Sequence, residues 1–163
     1  MVLLTTLVML DPESALRERG SGTASQVVEF AVVTHDDLGV EDLSSEQLRR
    51  IFLGERQYWD DGSRILTLIG VPGTAGRATV LELICDMTEA QYREYWIAKI
   101  FRTQATSGPR VLETDAALLS FVSRLPGSIA VVPASPDTDG VRILSIDGLK
   151  PGAPGYPLRN SPS

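Results

Sequence analysis

Apolar residues recur at helical spacing in a short segment in the first third of the chain. Leu48, Ile51 and Phe52 stand at positions i, i+3 and i+4, and the residues between them are polar or charged. This spacing predicts an amphipathic helix with one buried face. Both helix ends are also encoded, because Ser44 opens a Ser-x-x-Gln capping box and Gly54 readily takes the left-handed conformation that ends a helix.

Three more helices are predicted further along the chain. One follows a Gly-rich turn and runs from about 74 to 86, and the other two begin at the capping residues Thr88 and Thr114. Their predicted buried positions are Tyr92, Tyr95, Trp96 and Ile100 in the helix after Thr88, and Leu118, Leu119, Val122 and Leu125 in the helix after Thr114. An aromatic stripe of this kind is typical of a core rather than of a ligand-stacking surface.

Short runs rich in β-branched and apolar residues alternate with the helices. The predicted strands are Val27–Thr34, Arg64–Ile69, Ser128–Val132 and Val141–Ile146. Alternation of strands and helices predicts an α/β fold with one compact sheet. Trp59 precedes the turn at 60–62, and we expect its indole to pack near Phe52.

Length and composition narrow the classes of function. The 163 residues suit one domain, and 43% apolar residues are enough to fill a core. A formal net charge of −6 with scattered Lys and Arg argues against binding to duplex nucleic acid. Cys85 is the single cysteine, so the chain has no internal disulfide and no thiolate zinc site, and its apolar neighbours predict a buried thiol.

The first residues form a segment of their own. Val2–Leu10 is apolar but too short to span a bilayer. Two interpretations stay open for it: a degenerate secretory signal cut ahead of Ser25, or a plain N-terminal extension. We therefore predict an extension over residues 1–24, an α/β domain over 25–148 and a Pro/Gly-rich C-terminal tail over 149–163.

The segment Gly70–Arg77 is the most suggestive of function. A strand, a Gly-rich turn and a helix N-terminus in succession direct unpaired amides at one point, which suits an oxyanion. The predicted anion-binding residues are Gly73, Thr74, Ala75, Gly76 and Arg77. The alternative is that Gly and Pro only turn the chain and Thr74 caps the helix.

Catalytic and metal-binding patterns are weak in this sequence. His35 is the single histidine, and no nucleophile or orienting partner accompanies it. The carboxylate pairs Asp36–Asp37 and Asp60–Asp61 fit solvated turns better than an acid/base pair or a metal cage. We therefore predict no catalytic residues, no metal, no cofactor and no enzymatic activity.

Several segments together resemble one family, the substrate-binding proteins of phosphate ABC transporters and their shorter relatives. The helix with its following tryptophan is the most specific feature. The matching segments are Val32–Val33, Leu43–Gly54, Trp59, Gly62, Pro126–Ala130, Ile146–Gly148 and Tyr156–Arg159. The resemblance runs from about Val27 to Arg159, and implies a single periplasmic-binding-protein-like lobe of type 2, with a central mixed β-sheet and helices packed on its faces.

The sequence departs from the family pattern at the ligand loop. Family members carry an Arg followed by Gly-Ser-Gly-Thr at a helix N-terminus, whereas here the Arg position is Gly70 and the triplet is reduced to Gly73-Thr74-Ala75. The part that builds most of the first lobe is also not found, so a clamshell closing over its ligand is not expected.

The resemblance implies a non-catalytic, periplasmic or other extracytoplasmic domain that binds phosphate or another small oxyanion and does not span a membrane. The alternative is a scaffold that has lost its ligand and mediates protein contacts in an envelope complex.

Overall fold

A mixed β-sheet organises the chain in the computed structural model, which describes residues 27–134 and 139–160. The strands are β1 Val28–His35, β2 Asp42–Leu43, β3 Leu66–Gly70, β4 Arg110–Leu112, β5 Ser128–Pro133, β6 Val141–Ile143, β7 Ser145–Ile146 and β8 Arg159–Asn160. The main sheet has the order β4-β3-β5-β1-β6, with β8 also pairing with β1, and β2 and β7 pair separately. β3 is parallel to both neighbours, while β1 is antiparallel to all of its partners.

The helices cover both faces of this sheet, as the α/β prediction required. They are α1 Ser45–Phe52, α2 Ala75–Thr79, α3 Glu89–Phe101 and α4 Asp115–Val122, with a 3-10 turn at Asp36–Leu38. α2 continues directly into a π-helical segment, Val80–Cys85. In the part of the chain that the structure describes, no helix has the length and apolar character needed to cross a bilayer.

The alternation of side chains along β1 divides the core in two. Phe30 and Val32 join the larger core, which α1, the π-helical segment and α3 cover. Ala31 and Val33 point to the opposite face and pack against α4. Because both faces of the central strands are buried, their middle residues form continuous apolar runs, 30–33 in β1 and 129–132 in β5, instead of alternating with polar residues.

The organising helix α1 is confirmed in detail. Leu48, Ile51 and Phe52 are at most 1% exposed, and the capping box between Ser44 and its N3 residue is present. Trp59 is buried in the same core and donates from Nε1 to the Gly127 carbonyl oxygen at 2.9 Å. The predicted packing of Trp59 near α1 is therefore confirmed.

The predicted buried stripe of α3 is correct only for its first turns. Tyr92 and Trp96 are buried, Tyr95 is half-buried and donates to the Leu53 carbonyl oxygen at 2.8 Å, but Ile100 is 42% exposed. The prediction for Ile100 was wrong, because no described element covers the last turn of α3. Helical spacing defines a face, but the extent of the neighbouring elements decides how far that face is buried.

Several strands escaped prediction because they are two or three residues long. β2, β4 and β8 are too short to show a period in the sequence. The predicted strand at 141–146 is interrupted at Leu144, so β6 pairs with β1 and β7 with β2.

Part of the segment predicted as a C-terminal tail packs on the sheet. Tyr156 and Leu158 are buried, and the Tyr156 hydroxyl donates to the Phe30 carbonyl oxygen at 2.8 Å. Arg159–Asn160 forms β8. The predicted extension over residues 1–24 lies outside the described residues.

Candidate functional site

The predicted anion loop lies where the parallel strands end. It leaves the carboxyl end of β3 at Gly70, and the Val71 amide continues the pairing by donating to the Leu112 carbonyl oxygen at 3.0 Å. A Cβ at Gly76 would lie 3.0 Å from the Val131 carbonyl oxygen, so the first turn of α2 packs directly on β5. The carboxyl edge of parallel strands is where α/β folds usually bind ligands.

Thr74 occupies the N-cap position of α2 but does not use its side chain as a cap. Its hydroxyl donates instead to the Val71 carbonyl oxygen at 2.9 Å, within the loop. The same side chain fills the space beside Gly70, where any Cβ would collide with the Thr74 hydroxyl oxygen. The capping alternative is therefore not supported for the Thr74 hydroxyl, and the first amides of α2 have no side-chain cap within the described chain.

Arg77 is buried and already has partners. Its Nε and Nη2 donate to the two carboxylate oxygens of Glu89 at 2.9 and 2.6 Å, and Nη1 donates to the Gly70 carbonyl oxygen at 3.0 Å. The guanidinium also lies 5.6 Å from the centre of the Tyr92 ring. Three of its five donors are thus used inside the fold, where they fix the end of β3 relative to the start of α3.

Carboxylates near the loop reduce the positive electrostatic potential that it presents to an anion. A cavity of about 300 Å³ beside it is lined by Gly73, Thr74 and Arg77, but also by Glu82 and Glu89. A carboxylate oxygen of Asp115, at the start of α4, lies 3.9 Å from the Cβ position of Gly76. The loop therefore offers mainly backbone amides, and the predicted set of Gly73, Thr74, Ala75, Gly76 and Arg77 stays a prediction.

Sequence reasoning missed Glu89 and Asp115 as neighbours of this loop. Each lies on a different helix from the loop and shows no local signal beyond its place in a helical first turn. Only the packing of α2, α3 and α4 around the sheet brings these carboxylates to the anion loop.

The ion pair between Arg77 and Glu89 should make stability depend on pH. The hydrogen bond from Arg77 lowers the pKa of Glu89 below its ordinary value. A lowered carboxyl pKa stabilises the fold at neutral pH, and this contribution is lost as the pH falls below about 4.3. We expect Glu89→Gln to lower the free energy of unfolding by about 1 kcal/mol or less at pH 7, because Glu89 is partly exposed.

Urea denaturation at pH 7 and at pH 3 measures this effect. The difference between wild type and Glu89→Gln should shrink at pH 3, while Glu94→Gln, an exposed change on the same helix, should have little effect at either pH. A difference that is equally large at both pH values would contradict the pairing.

His35 and Cys85 are the single histidine and the single cysteine of the chain, and both have defined surroundings in the fold. His35 Nδ1 accepts from the Asp37 amide at 3.2 Å and so caps the 3-10 turn. With Asp36 and Asp37 it forms one partly exposed group of three potential metal ligands, and these carboxylates are common in solvated turns. Burial raises the pKa of the Cys85 thiol to about 12. The thiolate, which is the nucleophilic form of cysteine, is therefore scarce at neutral pH.

The fold is that of a periplasmic-binding-protein-like lobe. The chain matches solved structures of this fold. One is a putative phosphate ABC transporter substrate-binding protein with bound phosphate from Clostridium perfringens, which matches at a TM-score of 0.62. The identity is 18%, and the match covers 76% of this chain and 47% of that one. PstS from Borrelia burgdorferi matches at a TM-score of 0.66, with 16% identity over 94% of this chain and 62% of that one. At these identities the likeness establishes the fold.

Sequence comparison shows which known protein the chain is similar to. The phosphate-binding protein PstS of Bacillus subtilis (strain 168) is 30% identical over 132 residues, which are 78% of this chain and 39% of that protein. No family model matches the chain. The chain is a short relative of the substrate-binding proteins of phosphate ABC transporters, and it spans less than half the length of the curated relative.

Proposed function

We propose that this domain binds phosphate or a similar small oxyanion without catalysing a reaction, in an extracytoplasmic location. The observation that carries the proposal is the uncapped start of α2 at the carboxyl edge of β3, where Thr74 leaves the first-turn amides available. Amides at a helix start carry partial positive charge and suit an anion. The name of the Bacillus subtilis relative, a phosphate-binding protein, gives independent support.

Arg77 has an indirect role in this proposal. Because its described hydrogen bonds go to Glu89 and to the Gly70 carbonyl oxygen, it holds the loop in place and adds a positive charge that Glu89 largely offsets. The oxyanion is bound mainly by the amides of Gly73, Ala75 and Gly76. Delivery of the ligand to an ABC transporter belongs to the same proposal.

Calorimetry with an Ala75 variant pair tests this role for the amides. Ala75→Pro removes one N–H at the first helical position, which tolerates proline, and the extended Thr74 before it is compatible with a following proline. Ala75→Ser keeps the N–H at the same position. We expect phosphate to bind wild type and Ala75→Ser alike, and Ala75→Pro about tenfold or more weakly, because a charge-assisted hydrogen bond is lost.

Thermal unfolding of both variants checks that the fold is kept. Phosphate and sulfate are titrated separately, since both are small oxyanions. If neither phosphate nor sulfate gives a heat of binding at millimolar concentration while the protein is folded, oxyanion binding is refuted. If phosphate binds Ala75→Pro and Ala75→Ser with equal affinity, the anion binds at a site other than the start of α2.

A scaffold that contacts another envelope protein is the second candidate. Two observations favour it: the charge of Arg77 is offset by Glu89, and the end of α3 exposes Ile97, Ile100 and Phe101 to 62%, 42% and 89%. Exposed apolar side chains in one place are typical of a contact surface. The calorimetry distinguishes the candidates, because a phosphate heat that Ala75→Pro diminishes contradicts a domain that has lost its ligand.

A further inference from the structure

A second concave site lies at the opposite end of β3. β4 begins only at Arg110, which pairs with Leu68, so Leu66 and Thr67 have a strand neighbour on the β5 side alone. A cleft of about 190 Å³ opens beside them and is also lined by the loop at 105–109. It lies at the amino ends of β3 and β4, whereas the anion loop follows the carboxyl end of β3.

Cationic side chains are concentrated at this cleft. Arg56, Arg64 and Arg110 line it, and no Asp or Glu of residues 27–134 and 139–160 is among the lining residues. Arg56 is paired with Asp60 at 2.7 Å, but Arg64 and Arg110 form no salt bridge with any carboxylate in the described residues. The Arg110 guanidinium lies 4.7 Å from the centre of the Phe121 ring, a contact that leaves its positive charge without a counter-ion. In a chain of net charge −6, two such arginines beside a cleft that no described carboxylate lines form a local positive site.

One wall of the cleft is rigid. The Trp96 indole is held between two glycines, since a Cβ at Gly54 would lie 2.5 Å from its ring and one at Gly108 would lie 3.5 Å from it. Trp96 is 9% exposed and its Nε1 is fully buried, so the indole shapes this wall and offers no donor to a ligand. Thr106 and Ser107 add hydroxyl groups to the lining.

We propose that this cleft binds a small polyanion, a molecule with two or more phosphate or carboxylate groups. Guanidinium groups bind these groups through paired N–H donors, and two arginines without carboxylate partners can engage two anionic groups at once. The small volume fits a compact molecule. This proposal is independent of oxyanion binding at the α2 loop.

Titration with pyrophosphate and with citrate tests the cleft, with calorimetry and tryptophan fluorescence as readouts. Trp96 forms the wall, so its emission should change on binding. We expect the double variant Arg64→Gln/Arg110→Gln to raise the Kd about tenfold or more, because charge-assisted hydrogen bonds are lost. Binding of pyrophosphate alone, of citrate alone or of both supports the proposal and identifies the preferred anionic group.

Two controls separate this site from general electrostatics and from the α2 loop. Arg93→Gln/Arg142→Gln makes the same change in net charge outside the cleft and should leave the Kd almost unchanged. Ala75→Pro should leave polyanion binding intact even where it weakens phosphate binding. Absence of binding to wild type, an equal loss in the charge-matched control, or loss in Ala75→Pro would each overturn the proposal.

Discussion

Replacing Phe52 with alanine should lower the free energy of unfolding by about 3–5 kcal/mol. Phe52 is 0% exposed and lies in the core that joins α1, the π-helical segment, α3 and the sheet. Its removal takes a whole ring from this core and leaves a cavity that helices held on several sides cannot easily close. Urea denaturation with constant m-value measures the loss.

The matched control for this prediction is Phe101→Ala. Phe101 is 89% exposed at the end of α3, so the same chemical change should alter stability by less than about 0.5 kcal/mol. A loss well under 1 kcal/mol for Phe52→Ala would show that α1 does not organise the core as described.

Gly127→Ala is expected to be the second most damaging change, at about 2 kcal/mol or more. Gly127 has a φ of 83°, and a Cβ there would lie 2.6 Å from the Arg64 carbonyl oxygen. The Gly127 carbonyl oxygen also accepts from Trp59 Nε1 and from the Leu66 amide at 3.0 Å, so any backbone shift disturbs both contacts. Thermal or urea unfolding gives the size of the effect.

Gly62→Ala separates the two causes. Gly62 has nearly the same φ, 84°, but no heavy atom of the residues that the structure describes lies within 4 Å of its Cβ position. This variant should show only the cost of the left-handed backbone, about 1–2 kcal/mol. Equal losses in the two variants would mean that the contact between residue 127 and the Arg64 carbonyl oxygen contributes nothing.

Local patterns predicted the fold wherever an element was long enough to show them. The capping boxes at Ser44 and Thr88 and the buried face of α1 are all present, because they depend on residues three or four positions apart. The exposure of Ile100 and the break at Leu144 depend on which elements lie alongside. Such tertiary contacts are not encoded in the period of a single segment.

The candidate site was less predictable than the fold. The sequence pattern correctly placed the strand, turn and helix start at Gly70–Arg77. The prediction from it assumed that the Arg77 guanidinium is available to a ligand. Its partner Glu89 is twelve residues away on another helix, and only the packing of α3 joins the two. The arginine-lined cleft has no sequence signature either, since Arg56, Arg64 and Arg110 come from three separate segments.

The pairing of β1 has a consequence for how the protein is made. β1 is the first strand of the described chain, yet its partners β5, β6 and β8 all follow α4, and Val28 lies opposite Asn160. During translation, this apolar central strand leaves the ribosome long before any neighbour exists. Such long-range pairing slows folding and exposes an unpaired edge, so we expect the sheet of the nascent chain to close late and to be prone to aggregation until then.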